Sequence, residues 1–303
     1  MPAARIVLSL DFELRWGVAH VWGTDMAAYR RNLEGVREAV PRLLEAFASG
    51  GVRATWATVA AIACDSWDEY LAAAPPVPPI GAAALARTAA LPRLDPAGRL
   101  HFAPDLVRLV QRTPGQELGS HSFSHFPFAP RFTARHVEDD ARAVAALFER
   151  KLGLRPESFV YPRNVVAFPE VLAALGLRSL RGNPPLLAWR LTPGLRDLPA
   201  ARALRFAESL ARSPPARRAP GSAFVPASAF LRLTLPTPLF DLHRARLAAA
   251  ATRLREGEFL HLWFHPHNLG ARPVEQVRRV VSVLSAITEA TRGAATFCAM
   301  REV

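Results

Sequence analysis

The sequence predicts an α/β fold built on a parallel sheet. Short apolar runs alternate with amphipathic helical segments through most of the 303 residues, and three of these runs end in an acidic or histidine side chain. Such alternation favours either an open doubly wound sheet or a closed barrel, and both architectures place their chemistry at the carboxyl ends of the strands. Because barrels of this kind often form one unit of more than roughly 200 residues, we expect a single domain over residues 1–303.

The N-terminal elements follow from the spacing of apolar residues. The run Ile6–Leu10 predicts a strand that leads directly into an acidic segment. Residues 25–49 carry apolar side chains at helical spacing and are followed by two glycines, which predicts a helix. The β-branched and aromatic run 52–59 predicts the next strand, and the Ala- and Pro-rich stretch 73–98 predicts an inserted surface segment.

The same alternation continues in the second half. Apolar spacing from Thr133 to Leu152, with Gly153 behind it, predicts a helix. Further elements are expected at Ser158–Tyr161 (strand), Pro169–Leu175 (helix), Leu177–Leu180 (strand), about Leu239–Arg255 (helix), 259–265 (strand), Val274–Thr291 (helix) and Ala294–Met300 (strand). Residues 183–240 carry several prolines among many arginines and support no detailed assignment; we take them as a second insertion.

Composition limits the classes of partner. The net charge of +12 comes almost entirely from arginines scattered along the chain, with Lys151 as the single lysine. No basic block is interleaved with aromatics, so we expect an arginine-rich solvated surface and no nucleic acid. The alternative is a surface that binds an anionic polymer, phospholipid head groups or a phosphorylated carrier. Cys64 and Cys298 are expected to be buried free thiols. The first apolar run is too short for a signal-peptide core, so we expect a location in the cytoplasm or at the inner membrane face.

Two histidines four residues apart, His121 and His125, follow the short run 116–120. Asp11 and Glu13 lie two apart on an extended chain, so their side chains point the same way. Imidazole is the commonest protein ligand of a catalytic divalent metal, and two imidazoles with one carboxylate leave open coordination positions. Hydrolysis of an amide or an ester is the chemistry that this set of residues predicts.

These residues resemble motifs of the polysaccharide deacetylases of the NodB homology class, carbohydrate esterase family four. Ser9-Leu10-Asp11-Phe12-Glu13 stands where that family has Thr-Phe-Asp-Asp-Gly, and His121-Ser122-Phe123-Ser124-His125 matches the family's His-Ser/Thr-x-x-His in full. The resemblance runs through most of the chain in order. It implies a distorted (β/α) barrel, one divalent metal ion (zinc, with cobalt or manganese as alternatives), and removal of an N-acetyl or N-formyl group from an amino sugar.

The resemblance also implies roles for single residues. His121 and His125 would be metal ligands, and His265, in the strand-end segment Leu262-Trp263-Phe264-His265-Pro266-His267-Asn268, would be the general acid. Phe12 stands in place of the family's ligand aspartate, so the metal carboxylate is Asp11 itself or Glu13. We favour Glu13 as the ligand and Asp11 as the general base; the remaining interpretation of Glu13 is a surface acid beside Arg15.

The family's third motif, Arg-x-Pro-Tyr, is degenerate here, with Val160 at the position of the arginine. Either Arg163 or Arg181 would then orient Asp11, and the backbone N–H of Arg163 corresponds to the family's oxyanion donor. Asn164, Trp263, His267 and Asn268 are candidate substrate contacts. His261 is expected to be a hydrogen-bonded core residue, and His20, His101, His136 and His243 are expected to be surface or packing residues.

The expected substrate is an acylated amino sugar on a nucleotide or polyprenyl phosphate carrier, a glycan precursor that a protein with peripheral membrane contact could reach. Two alternatives stay open at this point. One is a metal-dependent amidohydrolase that acts on a small cyclic amide or formamide. The other is a catalytically inactive module that binds carbohydrate or phosphate, which the missing arginine of the third motif suggests.

Overall fold

The computed structural model describes residues 4–22, 27, 29–76, 90–128, 132–196 and 198–303. Ten strands lie in this part of the chain: β1 Ala4–Phe12, β2 Ala54–Thr58, β3 Gln116–Ser120, β4 Ser158–Val160, β5 Ser179–Gly182, β6 Ala216–Arg217, β7 Phe224–Pro226, β8 Ala229–Phe230, β9 Glu258–Phe264 and β10 Ala295–Cys298.

The strands form a barrel in which β1 lies between β9 and β2. Along Arg5–Leu10, β1 pairs in parallel with β9; its first half also pairs with β10 and its second half with β2. From β2 the sheet continues in parallel through β3, β4 and β5. Residues 224–230 then close it, because β7 pairs with β5 and β8 pairs with β9. The predicted (β/α) barrel is therefore confirmed, and the open doubly wound sheet is excluded.

Helices surround the barrel. Their bounds are Leu14–Trp22, Arg30–Glu34, Val36–Ser49, Trp67–Ala73, Pro104–Arg112, Ala134–Leu152, Pro169–Ala174, Leu187–Arg190, Pro193–Arg196, Pro199–Ala211, Thr237–Ala251 and Pro273–Ala290, with short 3-10 turns at Ala60–Ala63, Pro162–Asn164, Pro266–Leu269 and Met300–Glu302. The main core is formed by apolar side chains of β1, β2 and β9 with those of the helices that follow the strands. Among the described residues, no helix is long and apolar enough to cross a membrane.

The helix predicted at Thr133–Leu152 is confirmed, with Thr133 as its N-cap in a reciprocal capping box with His136 and Gly153 at φ 65° behind it. The helix predicted over 25–49 is wrong as a single element. Gly35 separates Arg30–Glu34 from Val36–Ser49, and a Cβ at this glycine would overlap the backbone carbonyl of Gly270. Residues 25, 26 and 28 lie outside the described part of the chain.

The two predicted insertions differ in what can be seen of them. Residues 77–89 of the first lie outside the described part of the chain, and a helical stretch occupies 90–94. In its described residues, the segment 183–240 contains two one-turn helices, the longer helix Pro199–Ala211, the strands β6, β7 and β8, and the start of the helix Thr237–Ala251. Since β7 and β8 complete the sheet, this segment contributes to the barrel and to the wall above it.

Candidate active site

A cavity of about 380 Å³ opens at the carboxyl ends of the parallel strands. Ten of the residues that the sequence singled out for chemistry line it: Asp11, Glu13, His121, His125, Arg163, Asn164, Trp263, His265, His267 and Asn268. They come from the ends of β1, β3, β4 and β9, which lie far apart in the sequence and are brought together by the closed sheet. Chemistry at this edge of the barrel is what a parallel β/α architecture favours.

Glu13, His121 and His125 form the most closely packed group in this cavity. Oε2 of Glu13 lies 3.2 Å from Nε2 of His121 and 3.0 Å from Nε2 of His125, and all three side chains are buried. Burial by itself would raise the pKa of Glu13, but the charges of His265 and His125 and the hydrogen bonds of the imidazoles outweigh it and hold the pKa well below its usual range. Glu13 is therefore an anion in a buried site.

The donor atoms of this group fit a divalent metal. Nδ1 of His121 lies 2.7 Å from the carbonyl oxygen of Val160, which only an N–H can satisfy, so the lone pair of neutral His121 is on Nε2. That lone pair faces the carboxylate of Glu13, so with neutral imidazoles a cation between these two acceptors would satisfy both. Ligand atoms at about 2.0–2.1 Å from a tetrahedral zinc lie about 3.3 Å apart, close to the separations seen here. Burial lowers the pKa of His125, which favours its neutral, ligating form.

The loop that carries both histidines has an unusual backbone. Ser122 and His125 adopt φ of 64° and 59°, a region that costs a residue with a side chain about 1 kcal/mol or more. Between them, the backbone N–H of Phe123 donates to both carboxylate oxygens of Asp140, at 3.1 and 3.2 Å. Asp140 lies on the helix Ala134–Leu152, and burial raises its pKa to about 7. This helix therefore holds the loop that presents the histidines.

Asp11 is held by an arginine from the opposite side of the barrel. Arg181, on β5, donates Nη1 to Oδ1 of Asp11 at 2.5 Å and Nη2 to Oδ2 at 2.7 Å. Its Nη2 also reaches Oδ1 of Asn164 at 3.3 Å, and its guanidinium lies 4.3 Å from the ring centre of Trp263. Burial alone would raise the pKa of Asp11, but the charge of Arg181 lowers it. Of the two arginines that the sequence proposed, Arg181 orients Asp11, and Arg163 lies in the cavity wall.

His261 supports Arg181 from the barrel interior, as the core interpretation of this residue predicted. Ser9 accepts from Nη1 of Arg181 at 3.1 Å and lies 2.9 Å from Nε2 of His261. The other ring nitrogen lies 3.2 Å from the carbonyl oxygen of Pro226. Burial, followed by the charge of Arg181, lowers the pKa of His261 to about 3, so the ring is neutral and accepts from Ser9.

His265 faces both carboxylates across the cavity. Its Nε2 lies 3.7 Å from Oδ2 of Asp11 and 3.6 Å from Oε1 of Glu13, and about a fifth of its side chain is exposed. The ring of His267 stacks on it with centroids 5.0 Å apart, and Nδ1 of His267 lies 3.8 Å from Oε1 of Glu13. Asn268 accepts from the hydroxyl of Tyr29 at 2.9 Å. Of the four histidines described here, His121, His125, His265 and His267, His265 is therefore the one whose side chain is partly exposed to the cavity.

No protein-family model and no curated protein matches the sequence. Among solved structures, a candidate polysaccharide deacetylase from Mycobacterium smegmatis aligns with all of this chain and 92% of its own, with a TM-score of 0.58 and 15% sequence identity. The chain has the fold of the polysaccharide deacetylases. A family 4 carbohydrate esterase from Streptomyces lividans, solved with acetate, is similar over 99% of this chain and 93% of its own, with a TM-score of 0.46 and 12% identity. A pseudoenzyme of this esterase family from Bacillus anthracis covers 98% of this chain at a TM-score of 0.46 and 10% identity, with 63% of its own chain aligned.

The remaining residues for which the sequence made a prediction have clear environments in this polysaccharide deacetylase fold. Glu13 and Arg15 are both buried, so the interpretation of Glu13 as a surface acid is wrong. His101 bonds Asp95 at 2.8 Å in the core. His136 caps a helix and His243 is buried, while the side chain of His20 lies outside the described part of the structure. Both cysteines are buried and free, as expected.

The cavity of this deacetylase fold has a second wall that the sequence did not indicate. Its residues all come from the segment 183–240: Trp189, Arg205, Ser209, Phe230 and Arg232. Trp189 lies on one helix, Arg205 and Ser209 lie four residues apart on the next, and Phe230 and Arg232 lie at the end of β8 and just after it. No sequence spacing relates these three places to one another. The frequent arginines of this segment were visible in the sequence, but only the closure of the barrel by residues 224–230 directs some of them to the cavity.

Proposed function

We propose that this protein is a metal-dependent deacylase that removes an N-acetyl or N-formyl group from an amino sugar. One observation carries the proposal. Nε2 of His121 and Nε2 of His125 both lie within 3.2 Å of Oε2 of Glu13, beside an aspartate, Asp11, that Arg181 orients. A structural cluster would need only one carboxylate to neutralise the histidines. Here a second carboxylate and a third imidazole, His265, face the same space.

The chemistry divides among these groups. When held by Glu13, His121 and His125, a divalent ion such as zinc, cobalt or manganese supplies the Lewis acidity that polarises an acyl carbonyl and acidifies water. Asp11 takes the proton of the attacking water, because its lowered pKa keeps it ionised and Arg181 holds its oxygens in place. His265 donates a proton to the nitrogen as the C–N bond breaks, so the products are acetate or formate and a free amine.

Other groups of the cavity bind and orient. The backbone N–H of Arg163 serves as the donor to the oxyanion, a role that does not depend on the side chain. Asn164, which shares Arg181 with Asp11, and the residues that follow β9 contact the sugar. We also propose that the enzyme meets its substrate in the cytoplasm or at the inner face of the membrane.

The two hydrogen bonds from Arg181 to Asp11 argue against an inactive binding module. That alternative rested on the missing arginine of the third motif. Arg181 reaches the same carboxylate from β5 with two hydrogen bonds. An oriented carboxylate with the imidazole of His265 3.7 Å away is suited to general acid–base catalysis.

Metal content per chain, measured by elemental analysis after purification without chelator, tests the site. We expect about one divalent ion per wild-type chain, and none after the double substitution His121→Ala and His125→Ala. His136→Gln is the matched control, since His136 lies on the helix behind the loop and glutamine preserves a capping box. An absence of metal in the wild type, even after reconstitution with zinc, cobalt or manganese, would contradict the proposal.

Turnover of N-acetylated and N-formylated amino sugars, assayed as released acetate or formate, tests the activity. Asp11→Asn should abolish it while metal content stays unchanged. Hydrolysis of small cyclic amides without hydrolysis of sugars would select the amidohydrolase alternative. Sugar binding without turnover, equal in wild type and Asp11→Asn, would select the inactive module.

A further inference from the structure

The helix Pro199–Ala211 turns its apolar side toward solvent. Eight of its 13 residues are exposed, and seven of these eight are alanine, leucine, phenylalanine or proline, with Arg202 as the exception. Its polar residues Glu208 and Ser209 are half-buried and bond other groups of the protein. A surface helix of a globular protein normally has the opposite arrangement, with its apolar side facing the core. The outer face of this helix is therefore an apolar surface that the described chain does not cover.

This surface continues onto the chain that precedes the helix. Of the 13 large apolar side chains that are exposed in the described chain, five lie within residues 187–206 and are 36–60% exposed. We call these five side chains the apolar rim: Leu187, Leu195, Leu198, Leu204 and Phe206. The helix Leu187–Arg190 is fixed to the helix Pro199–Ala211, because the backbone N–H of Leu187 donates to Glu208 at 2.9 Å. Scattered single apolar side chains are normal on a surface, whereas a cluster of them marks an interaction site.

The apolar rim lies next to the candidate active site. Arg205 and Ser209, on the inner side of the helix Pro199–Ala211, line the cavity. Phe206 of the rim lies 4.5 Å from the guanidinium of Arg232, which lines the cavity as well. Whatever covers the rim therefore also lies beside the cavity.

Positive charge borders the apolar rim. Arg190, Arg202 and Arg212 are exposed, and none of the three forms an ion pair with a residue of the described chain. The described residues of the segment 187–212 include one carboxylate, Glu208, which accepts from two backbone N–H groups at the start of the helix Leu187–Arg190. Apolar side chains bordered by arginines are complementary to a bilayer surface with anionic head groups.

We propose that the apolar rim binds this protein to a bilayer that contains anionic phospholipids, with Arg190, Arg202 and Arg212 at the head groups. A second copy of the chain fits this surface less well, because an isologous contact would bring the arginines of both copies into one interface. A partner protein is usually held by large anchoring side chains in pockets, whereas alanines make up half of the exposed helix face. The inference goes beyond the proposed deacylase activity and does not depend on it, because lipid binding needs no turnover.

Sedimentation with lipid vesicles tests the proposal on the full chain. The vesicles consist of phosphatidylcholine with or without phosphatidylglycerol. We expect the wild type to bind those that contain phosphatidylglycerol, and to bind them more weakly at high salt. The double variant Leu198→Gln and Leu204→Gln should bind at least about tenfold more weakly. Leu71→Gln with Leu109→Gln is the matched control, since these leucines are similarly exposed and lie on the helices between β2 and β3.

The arginines are tested separately. Arg190→Gln with Arg202→Gln should weaken vesicle binding by about tenfold to thirtyfold, because each arginine near an anionic surface contributes about fivefold. Arg253→Gln with Arg255→Gln removes the same charge from the exposed turn before β9, at the amino ends of the strands, and should bind as the wild type does.

Three results would overturn the proposal. The first is a wild type that does not bind phosphatidylglycerol vesicles, and the second is a leucine variant of the rim that binds them as well as the wild type does. The third is a dimer, seen by sedimentation velocity, that this leucine variant breaks while neither protein binds lipid; that result assigns the rim to a second copy of the chain. Metal content and sugar turnover are measured on the same samples, so a failure of lipid binding is distinguishable from a failure of the deacylase proposal.

Discussion

Arg181 donates two parallel hydrogen bonds to Asp11, at 2.5 and 2.7 Å, and thereby joins β5 to β1 across the barrel. Both side chains are almost fully buried, so each charge depends on the other for its compensation. Ser9 and His261 extend the contact toward the barrel interior. The orientation of the proposed base therefore depends on three strands, β1, β5 and β9.

Arg181→Lys should lower kcat by about a hundredfold or more, because a lysine cannot form the two parallel bonds that orient Asp11. Arg181 lowers the pKa of Asp11, so weakening the contact raises that pKa and moves the acidic limb of the pH–rate profile to higher pH. The pH profile and the metal content of the variant are measured together. Arg178→Lys, an exposed arginine close by in sequence, is the control, and an unshifted acidic limb would contradict this role.

Gly17→Ala should abolish metal binding. The helix Leu14–Trp22 passes so close to Glu13 that a Cβ at position 17 would overlap its carboxylate, which must then leave His121 and His125. The expected result is a metal content at least about tenfold lower with an unchanged circular dichroism spectrum. Gly194→Ala, at a helical glycine with open space around it, is the control. Full metal occupancy in Gly17→Ala would rule out Glu13 as the ligand in this conformation.

Asp140→Asn should change how stability depends on pH. The pKa of Asp140 is about 7 in the folded protein and near 3.8 when unperturbed, so the native state binds more protons between these values. The free energy of unfolding therefore decreases as the pH rises through this interval, by up to about 1.4 kcal/mol per pH unit. Asparagine still accepts from Phe123 and does not ionise. Urea unfolding should show that the free energy of unfolding of the variant, relative to that of the wild type, is higher at pH 8 than at pH 5. Asp139→Asn is the control.

His265→Gln should separate substrates by their leaving group. An amine needs a proton to depart, so loss of the proposed general acid should slow amide hydrolysis by about 10²–10⁴-fold. An aryl acetate expels a stable phenolate and should lose less than about tenfold. His136→Gln again serves as the control. Equal losses on both substrates would assign His265 to binding or to the metal site instead of proton donation.

The sequence indicated the acids and histidines of the site better than the residues that hold them in place. Asp11, Glu13, His121, His125 and His265 are recognisable because each follows an apolar run, and parallel strands in a barrel end at one edge. The choice between Arg163 and Arg181 could not be made in this way, since both lie near strand ends and only the pairing of β4 with β5 directs one of them inward. Asp140 gave no signal at all, because its partner is a backbone N–H.

By itself, then, the sequence determined the alternation of strands and helices and the placing of acids and histidines at strand ends, because these depend on local periodicity and chain direction. Tertiary structure alone decided that the sheet closes through residues 224–230, that Arg181 meets Asp11, and that Arg205 and Arg232 face the cavity. Those contacts join segments far apart in the chain. Their geometry is set by packing and by the compensation of buried charge, which no spacing along the sequence records.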